Sequence, residues 1–414
     1  MKRKLALLLV AVVATFVLAA CGRSDEETLV IFQNKVEIDE ALKAYAETWA
    51  EEKGYEVEVK TCGGDSCAYG DQLLAEFQTA NQPDIFVIEG MGGFNQFSDK
   101  LVPLTTEEWV SDTDLSLTVD GVVYGFPVNI EGWGMAYNAE ILEAAGVDPD
   151  TLTNLEAYET AFETIEEQKA ALGIDAVVSM AAGSGMTWVT GLHNFNGYLS
   201  SGLDYEDDSV INDLLDGVAD EDRLNALADW VDLLYTYSDQ TILTQGEYDA
   251  QVGAFAEENV AFIHQGNWID PNLLDFDIDF EVGYAPHASG LGDVDSIFIG
   301  APSYYVVNED GNNTDKALEF LADLAGTEEG HEYMVNEANM VPAFKSVTLE
   351  PSAPLSAVVA EWNSEGQAYR WWQNDMPPGF GMDTIGPIYQ QFANGDIDKA
   401  EFVSRLKSAI EDLA

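Results

Sequence analysis

A chain of 414 residues, 47% hydrophobic and 11% aromatic, is too apolar for a disordered polymer and long enough for two or three separately folded units. Its 17 Lys and Arg stand against 75 Asp and Glu, a formal net charge of −58. That balance excludes nucleic acid and anionic lipid as partners, because phosphate groups are bound by clustered cations. The acidity fits a strongly hydrated surface in a salty or otherwise demanding medium and carries no information about a ligand.

In chain order, Lys2, Arg3 and Lys4 precede an apolar run from Leu5 to Ala20, the layout of a secretory signal, too short and wrongly flanked for a lasting membrane helix. Leu18-Ala19-Ala20-Cys21 has the form of a lipobox, which predicts acylation of Cys21, a polar tether over 21–27 and a protein held on a membrane by its acyl chains. Cys62 and Cys67, the two cysteines left after Cys21, lie close together in an oxidising compartment and predict a disulfide. Zinc would want two more ligands than this loop offers.

Leu29–Phe32 reads as a buried strand, followed by a helix with Leu42, Tyr45, Ala46 and Trp49 on one face; Tyr55–Val59 alternates, and Asp84–Ile88 is a third strand beyond a helix carrying Leu73, Leu74 and Phe77. Strand and helix in alternation predict an open parallel sheet, with ligand-facing residues Gln33, Asn34, Glu89 and Gly90 beyond its strand ends. Asp120-Gly121 between two apolar runs predicts a hairpin, since both residues tolerate positive φ. Pro127 and the glycines at 125, 132 and 134 then suggest a crossover into a second unit beginning near Glu131. A helix over 155–172, capped by Thr153 or Asn154 and closed by Gly173, leads to a strand at 176–180. Another helix spans 222–237, a strand from Val260 runs into Gly266-Asn267-Trp268, and alternating acids over 275–282 predict a strand with one acidic face. Ile297–Val307 reads as a return strand, with helices at 314–324 and 328–336, a crossing near Val341 and a helical tail containing Arg370-Trp371-Trp372.

Tyr124-Gly125-x-Pro127, the acidic Glu131, Tyr137-Asn138, a helix ending in Ala145-Gly146-Val147 and the Gly266-x-Trp268 segment together resemble the sugar-type extracellular solute-binding proteins of ABC importers, the maltose-binding-protein-like family. The resemblance implies an α/β, two-lobe periplasmic-binding-protein-like fold with an interlobe ligand cleft and several crossover strands. Its lobes would be 28–130 with 300–343, and 131–299 with 344–414, hinged near 129–131, Gly300 and 341–344. It implies a carbohydrate ligand, ABC permease subunits as partners, no cofactor, no metal, a monomer, and residence on the outer face of a bacterial cytoplasmic membrane, periplasmic if that cell is Gram-negative. By this resemblance Glu131 contacts sugar hydroxyls and Trp268 stacks on a sugar face.

Sugar sites pair carboxylates and amides with flat aromatic platforms. Trp133, Trp188, Trp268, Trp371 and Trp372, in Gly- and Pro-punctuated turns, are candidate platforms, whereas Trp49, Trp230 and Trp362 fall in helical patterns and read as core. Glu131, Glu89, Asn129, Asn267 and Arg370 are candidate polar contacts. Two rival readings are a secreted glycosidase, which needs only two facing carboxylates, and a surface lectin without a transporter. The glycosidase lacks an ordered motif: there is no His-Glu-x-x-His and no Walker loop, and Ala182 stands where the first glycine of Gly-x-Ser-x-Gly should be. His193, His264, His287 and His331 are scattered along the chain and read as core or solvated residues. A lectin would not need two lobes joined by crossovers.

Overall fold

The computed structural model describes residues 27–63 and 67–414, so the leader and the lipobox Cys21 lie outside the described residues. Within them, strands β1 (Thr28–Gln33), β2 (Glu56–Thr61), β3 (Ile85–Glu89), β4 (Leu117–Val119), β5 (Val122–Pro127) and β11 (Ser303–Val307) form one sheet in the order β2-β1-β3-β11-β5-β4. Strands β6 (Glu131–Asn138), β7 (Ala176–Ser179), β8 (Val260–Gly266), β10 (Ile297–Gly300) and β12 (Ala368–Tyr369) form the second in the order β12-β10-β6-β8-β7, with β9 (Val282–Ala285) also paired to β6. The architecture is a two-lobe α/β fold.

β1 is parallel to β2 and β3, as the strand-helix alternation predicts. The sheet is mixed all the same, because β11 runs antiparallel to both β3 and β5. Leu29, Val30 and Ile31 are fully buried and so are Ile85 and Phe86, consistent with strands covered on both faces by helices. The helix Asp39–Lys53 supplies one cover, with Leu42, Tyr45, Ala46 and Trp49 turned inward. Asp120 (φ 51°) and Gly121 (φ 78°) close the β4–β5 hairpin in the left-handed region. Asn154 caps the helix Leu155–Leu172 by accepting from Ala157 N, and Gly173 ends it at φ 79°. Cys62 and Cys67 form the expected disulfide, with Cα atoms 5.4 Å apart.

Two sequence expectations change. The acidic alternation over 275–282 does not form a strand: the helix Asp270–Asp275 runs into it, Asp277 turns the chain at φ 52°, and pairing begins only at Val282. Phe280, 6% exposed, packs inward from the turn. The expected return strand is split into β10 in the second sheet and β11 in the first, with Ala301 and Pro302 between them. The chain thus passes between sheets at 127–131 and again at 300–303. Near the first passage Ile130 N donates to Val341 O at 2.8 Å. The helix Pro354–Ser364 follows and packs on β6, β9 and β10.

Candidate interlobe ligand site

Beyond the end of β1, Lys35 extends into the space between lobes and bonds to Glu131 at the start of β6. Its Nζ also lies 3.6 Å from Glu37. Gln33 braces this lysine: its Oε1 accepts from Lys35 N at 2.5 Å and its Nε2 donates to Lys35 O at 2.8 Å. Burial penalises the Lys35 ammonium, but Glu131 and Glu37 outweigh that penalty and hold its pKa above the ordinary lysine value. Asn129 Nδ2 donates to Glu131 at 3.2 Å, and Asn34 Nδ2 donates to Glu89 at 3.1 Å.

An aromatic cage stands beside this charged group. The π-helix Trp188–Asn194 sets Trp188 and His193 five residues apart, one turn of such a helix, with ring centroids 5.4 Å apart. Around His193 gather Trp268 at 4.8 Å and Trp371 at 5.4 Å, while Tyr248 meets Trp188 at 6.0 Å. Trp371 lies against Gly300, its Cδ1 3.3 Å from where a Cβ would stand. Gly300 is the register partner of Glu131, so an indole and the carboxylate occupy neighbouring positions. Trp371 Nε1 is buried without a hydrogen-bond partner among the described residues. The cage combines apolar ring faces with polar edges, the chemistry that matches a sugar ring's C–H face and its rim of hydroxyls.

Not every sequence candidate joins this group. Trp133 is fully buried, stacked 4.1 Å from Phe298 and ringed by His193, His264 and His287; β6 is covered on both faces, and the indole belongs to the second lobe's core. Three of the four histidines, scattered in sequence, therefore meet in one place. Asn267 is 4% exposed and both ends of its amide serve the fold, Oδ1 accepting from Gly132 N and Nδ2 donating to Ser356 Oγ. Trp372 donates to Asp207 O at 2.9 Å and lies beneath the Arg370 guanidinium at 4.1 Å. Arg370 itself reaches toward Glu206 at 3.4 Å. Glu89 sits at the exposed end of β3.

The lobes also touch through backbone. Gly90, at φ +47°, approaches so closely that a Cβ there would lie 2.6 Å from Asn374 Cβ, and one at Gly92 would lie 3.1 Å from Met376 O. Met91 N, in the first turn of the helix Gly90–Phe97, donates to Asp375 Oδ1 at 3.3 Å.

Residues 42–363 match the family described as bacterial extracellular solute-binding protein. The chain belongs to that family. The binding protein is 25% identical over 352 residues, 80% of its own length and 78% of the relative's, to a maltooligosaccharide ABC transporter solute-binding lipoprotein of Streptococcus pneumoniae strain R6. The serotype 4 strain TIGR4 protein of the same description is 31% identical over 163 residues, a match spanning 37% of that relative's length. In fold, the binding protein is similar to a sugar transporter from Bacillus licheniformis solved with stachyose, with TM-score 0.73 and 18% identity, over 94% of this chain and 100% of that one. These relatives are named as solute-binding proteins and transporters rather than enzymes.

Sequence reasoning missed Lys35, His193, Tyr248 and the Met91–Asp375 contact. One signal was available for Lys35, a member of the small set of 17 basic residues placed directly beyond a buried strand. His193 and Tyr248 carried none, since their relevance comes from rings brought in by distant segments.

Proposed function

We propose that this binding protein captures an oligosaccharide between its lobes and delivers it to an ABC permease without altering it, while an acylated Cys21 holds it at the outer face of the cytoplasmic membrane. One observation carries the reading: the indole–imidazole cage of Trp188, His193, Trp268 and Trp371 stands next to the ion-paired Glu131 at the lobe boundary. Flat rings suit the C–H face of a pyranose, and an ionised carboxylate accepts from hydroxyls more strongly than a neutral oxygen does. The names of the pneumococcal relatives and the stachyose bound to the Bacillus licheniformis structure support the same ligand class. Hinge closure is the proposed mechanism, with the passages at 127–131 and 300–303 as hinges. Trp188, Trp268, Trp371, Glu131 and Asn129 are the proposed ligand contacts, with Glu89, Arg370 and Trp372 at the margin.

Titration calorimetry against malto-, raffinose-series and β-linked oligosaccharides, followed by chromatography of the saccharide after prolonged incubation, tests the proposal. A saturable heat with the sugar recovered intact is expected. Cleaved product would identify a hydrolase instead, and no heat with any saccharide would end the carbohydrate reading.

A further inference from the structure

The centre of the cleft holds more negative charge than it neutralises. Among the described residues Lys35 is the one cation beside Glu131 and Glu37, with Glu89 nearby at the exposed end of β3. The side chains of Lys35 and Glu131 are 9% and 7% exposed, and that of Glu37 is 21% exposed. Charges so placed are screened weakly by water, and an uncompensated one is costly.

A second observation concerns hydrogen bonding. Asn34 and Asn129 each give an amide N–H to a carboxylate, Glu89 and Glu131 respectively. Each is left with a buried carbonyl oxygen that finds no donor among the described residues. Asn129 as a whole is only 5% exposed. A buried acceptor without a donor destabilises a structure, and a ligand that donates to it relieves that cost. Around Lys35, then, both the charges and the unfilled oxygens call for donors carrying positive charge. Hydroxyls of a neutral sugar would fill the oxygens and leave the charge as it is. An ammonium would answer both, with three N–H donors and a unit charge.

We infer that the preferred ligand is an amino sugar, or an oligosaccharide containing one, whose free ammonium seats among Glu131, Glu37 and Glu89 with the Asn34 and Asn129 oxygens accepting from it. The inference rests on the carbohydrate reading and narrows it to a cationic class. The caged rings next to Glu131 would hold the pyranose face while the ammonium points toward Lys35's surplus of carboxylates. Lys35 stays committed to Glu131 and sets the depth at which the positive group stops.

The test uses the mature chain and calorimetry at pH 6 in about 0.5 M NaCl, where the Debye length of only a few ångströms suppresses attraction to the general surface. The probes are matched saccharides from monomer to tetramer that differ only in a free amine, an acetylated amine or a hydroxyl at one carbon. Binding of the free-amine form at least about tenfold tighter than both matched forms, one per protein, is expected. Glu37→Gln should remove most of that advantage, since Glu37 is the more buried of the two carboxylates beside the Lys35–Glu131 pair, whereas Glu350→Gln, on an exposed position far along the chain, should leave it intact. Equal or tighter binding of the hydroxyl or acetylated forms overturns the inference and leaves the carbohydrate reading standing. Equal losses in Glu37→Gln and Glu350→Gln also overturn it, since bulk charge would then explain the preference. Failure of every saccharide to bind overturns both readings.

Discussion

Lys35 and Glu131 meet at the lobe boundary, the ammonium from beyond β1 bonded to the carboxylate that opens β6, with side chains 9% and 7% exposed. The pair lies where the chain leaves the first sheet, so one electrostatic contact serves both the resting fold and the proposed ligand site. Removing one partner of a buried pair leaves the other charge uncompensated, which costs about 3–5 kcal/mol.

The two halves of this pair should not be equivalent. Lys35→Met strands Glu131 beside Glu37 and is expected to lower unfolding free energy in urea by about 3 kcal/mol. Glu131→Gln leaves Lys35 with Glu37 at 3.6 Å and should cost less than half as much. Equal losses would mean that Glu37 does not share the lysine.

Trp268 depends on a glycine. A Cβ at Gly266 would lie 2.1 Å from the Trp268 ring, too close for any side chain, while Trp268 Nε1 is held by Gln265 Oε1 at 2.7 Å. Gly266→Ala should therefore push the indole out of the cage, weaken saccharide binding by about tenfold or more and shift the tryptophan emission, since small misplacement of a contact group is costly. Unchanged calorimetric affinity would show that Trp268 is not a platform.

Closure should respond to the glycine contact between lobes. Gly92→Val inserts a side chain where even a Cβ lies 3.1 Å from Met376 O, and Asp375→Asn removes the charge that Met91 N meets at a helix N-terminus. Both variants are expected to enlarge the radius of gyration of the ligand-free protein in X-ray scattering. Apparent affinity should fall in proportion to the population of closed molecules. A wild-type scattering curve for Gly92→Val would separate this contact from closure.

Acid should destabilise the fold through the histidines around Trp133. His264 is 1% exposed, neither ring nitrogen has a partner among the described residues, and burial pushes its pKa down to about 4. The unfolded chain would bind the proton near 6.5, so stability is present above that pH and is lost as pH falls from about 6.5 toward 4. That group alone accounts for about 3 kcal/mol over the window. His264→Phe should reduce the loss measured by urea unfolding between pH 7 and pH 4 by about that amount. An unaltered acid limb would place the proton uptake elsewhere.

Much of the backbone was legible because its signals are local. Asp120-Gly121 accepts positive φ wherever it stands, Asn154 reaches its own Ala157 N–H, and a run such as Leu29–Phe32 must leave water in any compact arrangement. The misread stretch at 275–282 obeys the same logic: its alternation was local, but a helix beginning at Asp270 and the inward anchor Phe280 outweighed it. Candidate site residues were harder to sort. Trp133 and Trp268 both sit among glycines and looked alike in sequence, yet Trp133 became core because Phe298 and three histidines close around it, while Trp268 stayed partly open.

By itself, then, the order of residues determined most of the strands, caps and turns and the family pattern, since each depends on neighbours a few positions away. Tertiary structure alone decided that Lys35 answers Glu131, that Asn267 is consumed by Gly132 and Ser356, and that Trp371 lies against Gly300, the register partner of Glu131, while Trp372 turns to Asp207. The physical reason is that periodicity tells a side chain whether to leave water. Which distant group then covers it, and whether a ligand can still reach it, depends on contacts between segments a hundred or more residues apart.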